Sequence, residues 1–387
     1  MVKVLRPDYY NDFKCTGSNC ESNCCRSWKI FIEKDTYIKY QDIQNENFKK
    51  KFNRITVLNE EKKSNRNYAL MGYDNKNCIF LEKDGLCYIH KKYGEALLPG
   101  ICKKYPRLFF EFNKTYQTSL VNSCPEVLKL LMKNKRIKFE KKDIKEEMFS
   151  NDVDLRKVDI SEYDIFFIKE KFIEILQMDN IEIEKKLVIL LKVAKEIDNV
   201  ISDEKYKNIE EIFYKFHDNT NNNGNETQGD INLQFTIIKD FVKKNINKLN
   251  GIGKEFLKYM IMAFSMLSED NLKKGYEDYY LKSIEKDNYY IENYLVSELF
   301  NNFNYKNEKN KYSYMVIKLI LIYITLRNVI IGTGVYNRQL ERDDIWKIIF
   351  NFTRMSNHSE NFNKEAVDFI HEYNLTEISK IESFLEI

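Results

Sequence analysis

Eight cysteines, Cys15, Cys20, Cys24, Cys25, Cys78, Cys87, Cys102 and Cys124, are the residues of this 387-residue chain whose type and spacing could do chemistry. They run C-x4-C-x3-C-C, then C-x8-C-x14-C-x21-C, and no cysteine follows Cys124. Random placement would confine all eight to that stretch roughly once in 10⁴ chains, so the clustering has a cause. Thiolates are soft, charged ligands that hold zinc tetrahedrally or bind iron-sulfur clusters. Four suffice for one site. Eight allow two sites, or one site with further thiols as redox partners or packing groups. Between zinc and an iron-sulfur cluster, four cysteines do not decide.

Local sequence supports a cage. Asp84-Gly85 is a strong turn pair between Cys78 and Cys87 and predicts that these two fold together as the base of a knuckle. Pro99-Gly100 precedes Cys102 and Pro106 follows it, which punctuates another tight loop. Cys24 and Cys25 are adjacent, so in an extended segment their side chains point to opposite faces and a shared metal requires a local bend. Any single cysteine here also fits a buried, inert packing role. Packing does not account for the whole set. The N-terminus, MVKVLRPDYYNDF, lacks the apolar core and cleavage site of a secretory signal, which predicts a cytoplasmic protein whose thiols stay reduced rather than forming structural disulfides.

The elements that must position these thiols read as two parts. Aromatics are abundant (26 Phe, 26 Tyr) while Gly (12) and Pro (4) are scarce, a balance that predicts long packed helices rather than turn-rich sheet. In the cysteine segment the pattern is mixed. Trp28 to Glu33 partly alternates as a strand would, and Leu108 to Phe112, Asn113-Lys114-Thr115 and Tyr116 to Val121 read as a hairpin. From about residue 160 the apolar spacing turns helical. Ser161-Glu162-Tyr163-Asp164 resembles a capping box before Ile165 to Met178, and helical spacing recurs in 182–198, 232–249, 254–267, 312–331, 343–355 and 376–386. The expectation is a mainly α protein: a small, irregular α+β, cysteine-rich metal-binding module over 1–135, then a bundle of roughly eight to eleven helices over 136–387. Asn219 to Asp230 reads as a loop, and Gly251-Ile252-Gly253 and Gly332-Thr333-Gly334 read as helix breaks.

Charge excludes some partners. Lys and Arg total 62 against 59 for Asp and Glu, interspersed, so the surface offers no strong field for nucleic acid or anionic lipid. The most apolar run, Met315 to Ile331, carries Lys318 and Arg327, and charges at mid-bilayer are costly, so it reads as a buried core helix and not a membrane span.

Pro7-Asp8-Tyr9-Tyr10, Phe13-Lys14-Cys15-Thr16-Gly17-Ser18, Cys20, Cys24-Cys25, Trp28-Lys29, Gly85-Leu86-Cys87, Pro99 to Arg107 and Ser123-Cys124-Pro125-Glu126-Val127 resemble the flagellin lysine-N-methylase family, part of a larger group of cysteine-cluster proteins associated with metal or iron-sulfur centres. The motif-rich resemblance covers about residues 1–130. The helical remainder is similar mainly at Phe352 to Ser359. The resemblance implies transfer of methyl groups from S-adenosylmethionine to lysine side chains of flagellin in the bacterial flagellum, and it implies the eight cysteines as the ligands of the centre, with a 4Fe-4S cluster or zinc as the candidates.

Catalytic residues are not marked. Such a transfer needs a neutral amine in line with the methyl carbon and sulfur. Tyr88 and His90, just after Cys87, and Arg354 and His358, on one face if helix 343–355 runs one turn further, are the candidates, and each also fits a structural role. No Gly-rich dinucleotide-type turn follows a strand, and the C-x3-C-x2-C of radical S-adenosylmethionine chemistry is absent, since Cys25 directly follows Cys24. Two other readings stay open: a non-catalytic, metal-braced adaptor or chaperone that binds flagellin, and a redox or metal-handling protein.

Overall fold

The computed structural model describes residues 2–26, 30–60, 64–74, 77–112, 115–133, 135–144, 156–157, 162–202, 209–218, 229–246, 253–266, 268–284, 289–302, 311–357 and 362–386. The chain is mainly helical and divides into two units: residues 1–130 with 139–157, and residues 131–138 with 158–387. Trp28-Lys29, Ser161 and 219–228, read above as strand, helix cap and loop, lie outside the described residues.

The first unit is built on strands β1 (Val2–Pro7), β2 (Phe31–Ile32), β3 (Val57–Leu58), β4 (Ala69–Leu70), β5 (Tyr73–Asp74), β6 (Asn77–Cys78), β7 (Arg107–Phe112), β8 (Thr115–Leu120), β9 (Phe139–Ile144) and β10 (Arg156–Lys157). Five form one sheet in the order β10-β7-β8-β1-β9. Its centre is the hairpin expected from sequence, with Arg107 opposite Leu120 and Phe112 opposite Thr115, to which β1 adds in parallel, Val4 opposite Tyr116. Helices α1 (Lys34–Gln41), α2 (Glu46–Ile55), α3 (Tyr88–Tyr93) and α4 (Gly100–Lys104) surround a second, aromatic core. Tyr40, Phe48, Phe52 and Phe80 are its largest members, and Phe48 stacks on Phe80 with ring centroids 4.9 Å apart. Asn45 caps α2 by accepting from the Phe48 N–H at 3.0 Å, which turns Phe48 and Phe52, one turn apart, inward together. Cys78 is a member of this core, and Cys25, Cys87 and Cys102 pack against it.

α5 (Pro125–Leu131) leads into the second unit, which comprises α6 (Glu162–Leu176), α7 (Ile183–Ser202), α8 (Ile209–Asp218), α9 (Ile231–Ile246), α10 (Gly253–Met266), α11 (Glu269–Gly275), a π-helical stretch (Tyr276–Leu281), α12 (Lys282–Ile284), α13 (Tyr290–Asn302), α14 (Tyr312–Asn337), α15 (Arg342–Asn357), α16 (Phe362–Glu372) and α17 (Ile378–Leu385). The helical spacings read from sequence correspond to α7, α9, α10, α14, α15 and α17. Residues 131–138 join this unit through polar bonds: the Asn293 amide donates to the carbonyls of Leu131 and Lys135 at 2.9 and 2.8 Å and accepts from the Ile137 N–H at 3.1 Å.

α14 is apolar on all sides, as a helix must be when neighbours surround it. It is the one described helix long and apolar enough to cross a membrane, yet 89% of its most apolar window is buried within the unit. Gly332-Thr333-Gly334 corrects the sequence reading. The two glycines do not break a helix but lie inside α14. A Cβ on Gly332 would meet the Ala263 Cα at 2.7 Å and its carbonyl oxygen at 2.9 Å, so glycine is present to let α10 and α14 approach. Flanking packing on both helices compensates for the intrinsic cost of glycine within a helix.

Candidate functional site

Four short segments of the first unit carry the thiols, and backbone bonds draw two of them together, those of Cys24-Cys25 and of Cys78 to Cys87. The Cys78 N–H donates to the Cys25 carbonyl at 2.9 Å, and Arg26 and Asn77 form an isolated bridge, so the Cys24-Cys25 segment runs beside β6. Asn23 fixes the bend there: its Oδ1 accepts from the Cys25 N–H at 2.8 Å and its Nδ2 donates to the Gly85 carbonyl. The Asp84-Gly85 turn folds Cys78 and Cys87 together as its sequence requires. Gly85 adopts φ +80°, in the left-handed region that favours glycine, and Leu81 bridges Cys87. The Pro99-Gly100 loop delivers Cys102, whose N–H donates to the Pro99 carbonyl at 2.9 Å, while the Gly100 N–H is held by Glu33 Oε1 at 2.9 Å.

Electrostatics show which thiols feel one another. Burial raises the Cys102 thiol well above its ordinary value, and Cys78, Cys24 and Cys87 add to the effect. Cys25 is raised by a hydrogen bond with Cys24, by burial, and then by Cys24, Cys78 and Cys102. Burial pushes Cys78 up to about 12, with Cys87 and Cys24 contributing. A second set overlaps the first at Cys24: Cys20 is raised by burial, then by Cys24 and Cys15, and Cys124 is pushed up to about 12 by burial, then by Cys20 and Cys24. The adjacent Cys24 and Cys25 sit in a turn, the bend that sequence demanded for them to face a common centre. All eight cysteines are free thiols.

Backbone donors oppose those upward shifts. The Phe80 and Leu81 N–H groups hydrogen-bond the Cys78 sulfur, those of Ile89 and His90 the Cys87 sulfur, and those of Glu126 and Val127 the Cys124 sulfur. In each case the donors are two and three residues beyond the cysteine. N–H groups aimed at sulfur stabilise the thiolate, and such bonds tune cysteine-ligated clusters. Among the described residues no three His, Cys, Asp or Glu side chains stand within the distance of a shared ion. The donor set nonetheless fits a cationic centre: thiols that resist ionisation chiefly through burial, with their neighbours' charges adding to it and amide donors already pointing at three of them, become favourable as thiolates once a positive charge lies among them.

The described candidate catalytic residues belong to different units. Tyr88 and His90 lie in α3 directly after Cys87. Tyr88 stacks on Phe80, carries Lys51 over its ring at 5.1 Å, and serves packing, while the His90 side chain is exposed and its backbone serves the Cys87 sulfur. Arg354 belongs to the helical unit, in α15, with its guanidinium 5.5 Å from the Phe350 ring centroid. His358 lies outside the described residues. The backbone donors were missed from sequence because amides carry no residue signature. The turn signals after each cysteine were the available clue.

Comparison with known proteins places the chain. The family described as FliB lysine N-methylase C-terminal domain matches residues 169–383, more than half of the sequence. The flagellar biosynthetic protein FliU of Salmonella muenchen is 29% identical over 126 residues, which cover 33% of this chain and 75% of that protein. A lysine-N-methylase of Salmonella typhimurium is likewise 29% identical over 126 residues, covering 33% of this chain and 31% of its own length, as is one of Salmonella choleraesuis. The chain thus spans under a third of those two methylases. No solved structure matches. With a helical unit that the family covers almost from α6 to the end of α17, the chain belongs to the FliB lysine N-methylase family.

Proposed function

We propose that this protein transfers methyl groups from S-adenosylmethionine to lysine side chains of flagellin, with the N-terminal thiols holding an iron-sulfur cluster. Family membership over residues 169–383 is the observation that carries the reading. The amine must first lose its proton. Its nitrogen lone pair then forms the N–C bond to the methyl group as the C–S bond breaks, and the sulfur leaves as the neutral thioether of S-adenosylhomocysteine. Cys24, Cys25, Cys78, Cys87 and Cys102 are the set that would hold the cluster, with Cys15, Cys20 and Cys124 as the second set that meets it at Cys24. A bound cluster supplies a redox-active cationic anchor that fixes the loops carrying these thiols.

Two experiments test this. Mass spectrometry of flagellin from cells with and without the gene is expected to show steps of about 14 Da on lysines only when it is present, and identical spectra would remove the reading. Anaerobic purification followed by iron, sulfide and zinc analysis addresses the centre separately. Replacing Cys24 or Cys87 by Ser is expected to lower metal content while leaving most of the helical circular dichroism intact, and folded protein bearing neither iron nor zinc ends the metal assignment.

A further inference from the structure

In the helical unit a cleft opens between α6, α13 and α14. Phe172, Leu319 and Ile322 give it apolar walls, and Glu298, Asn302 and Lys318 line it as well. Glu298 is held in place. Asn302, one turn on, donates to Glu298 Oε2 at 2.9 Å, and Tyr294, one turn back, hydrogen-bonds the same carboxylate while accepting from Thr353 Oγ1 at 2.8 Å. Lys318 comes from α14, so the two charges are set by different helices. Burial lowers the Lys318 pKa, and the Glu298 carboxylate acts in the opposite sense, which places the two within electrostatic reach.

The lining limits the occupant. A simple cation drawn to Glu298 faces Lys318, and a simple anion drawn to Lys318 faces Glu298. An apolar ligand alone would cover both charges and offer neither a polar contact of its own. A zwitterion with an aliphatic stem satisfies all three features: ammonium to carboxylate, carboxylate to ammonium, and methylene groups against the apolar walls. The space measures about 60 Å³, the room of roughly four or five water molecules. That accommodates an amino-acid head and leaves any larger remainder at the mouth. From this we infer that the α-amino-acid head of the methyl donor docks in the cleft, its ammonium on Glu298 and its carboxylate on Lys318. The assignment rests on the methyl-transfer reading above and adds a donor site to it.

Calorimetric titration of the full-length, anaerobically purified protein tests the assignment through binding alone. The probes are S-adenosylmethionine and its decarboxylated analogue, which keeps the ammonium and sulfonium and lacks only the carboxylate. Wild type is expected to bind the analogue at least about tenfold more weakly, because a desolvated charge partner is lost. Lys318→Met is expected to weaken S-adenosylmethionine to the same degree and to erase the difference between the probes. Glu298→Gln, which keeps the Asn302 bond, is expected to weaken both. Equal affinity of wild type for the two probes would overturn the docking and leave methyl transfer standing, a result that needs no variant to fold. Wild type that binds neither probe would overturn methyl transfer and the docking with it.

Discussion

Replacing Lys169 by Met is expected to stabilise the helical unit, and to do so in a pH-dependent way. Lys169 lies in α6 with no solvent exposure, its amine 5.2 Å from the Phe300 ring centroid and 5.8 Å from that of Phe166. Burial lowers its pKa to about 7. In the unfolded chain the amine is protonated below its ordinary value near 10.5, whereas in the fold it stays neutral until about 7. Across that window the unfolded state binds the extra proton, so this residue's contribution to stability improves as pH rises and is worst at and below 7. At about 1.4 kcal/mol per pH unit, the penalty at pH 7 is roughly 4 kcal/mol, and it falls below about 1 kcal/mol at pH 10. Methionine matches the length and removes the titration. Urea unfolding followed by helical circular dichroism, with wild type and Lys169→Met compared at each pH, cancels every other titrating group. The gain is expected to shrink by roughly 3 kcal/mol between pH 7 and pH 10. A gain of the same size at both values refutes the argument, since it would show that Lys169 titrates alike in both states.

Three further outcomes follow from particular contacts. Glu184→Gln removes the carboxylate 2.9 Å from the fully buried Arg327 guanidinium and is expected to cost about 3–5 kcal/mol in urea unfolding. Because Arg327 Nη1 also donates to the Leu385 carbonyl at 2.7 Å, amide exchange across α17 should accelerate in the same variant, and unchanged exchange there would deny the link. Gly332→Ala forces a Cβ against backbone atoms of Ala263 and is expected to cost about 1–3 kcal/mol, and Ala263→Gly should rescue only part because the Cα and carbonyl oxygen remain. Asn23→Ala removes the side chain that ties the Cys25 N–H to the Gly85 carbonyl, so metal content of anaerobic material should fall although no thiol is lost, and full occupancy would mean the loops hold themselves.

Sequence disclosed what has a residue signature. The hairpin of β7 and β8, the turn at Asp84-Gly85 and the helices α7, α9, α10, α14, α15 and α17 are written in periodicity and turn chemistry, although α14 runs on to Asn337, past the end that its spacing marks. What depends on a distant neighbour was not legible. Gly332 reads as a helix break until Ala263 is placed against it. The five-stranded order β10-β7-β8-β1-β9 joins Val2 to Ile144, a pairing that no local pattern announces. The return of 131–138 to the helical unit depends on one amide, Asn293, 162 residues from its partner Leu131. The thiols were legible as a set, but their grouping around Cys24 required the backbone bond between Cys78 and Cys25.

The buried charges of the helical unit separate architecture from a binding site. Lys186 and Arg136 both reach Glu292, at 2.9 and 2.7 Å, and Arg136 belongs to the segment 131–138 that this group ties to α13. Arg327 meets Glu184, Gln234 and the Leu385 carbonyl, and so joins α7, α9, α14 and α17. Buried ion pairs add little net stability compared with apolar residues of the same size, but removing one partner is costly, so such groups fix which elements meet and in what register. Both networks do that. Glu298 and Lys318 differ, because their charges line open space rather than a seam between chain segments. A charge pair beside a cleft can be reached by a ligand, whose own opposite charges add to the bonds that Asn302 and Tyr294 already give Glu298. The same physical rule that makes the first two networks structural therefore points to Glu298 and Lys318 as the place where this unit meets a small molecule.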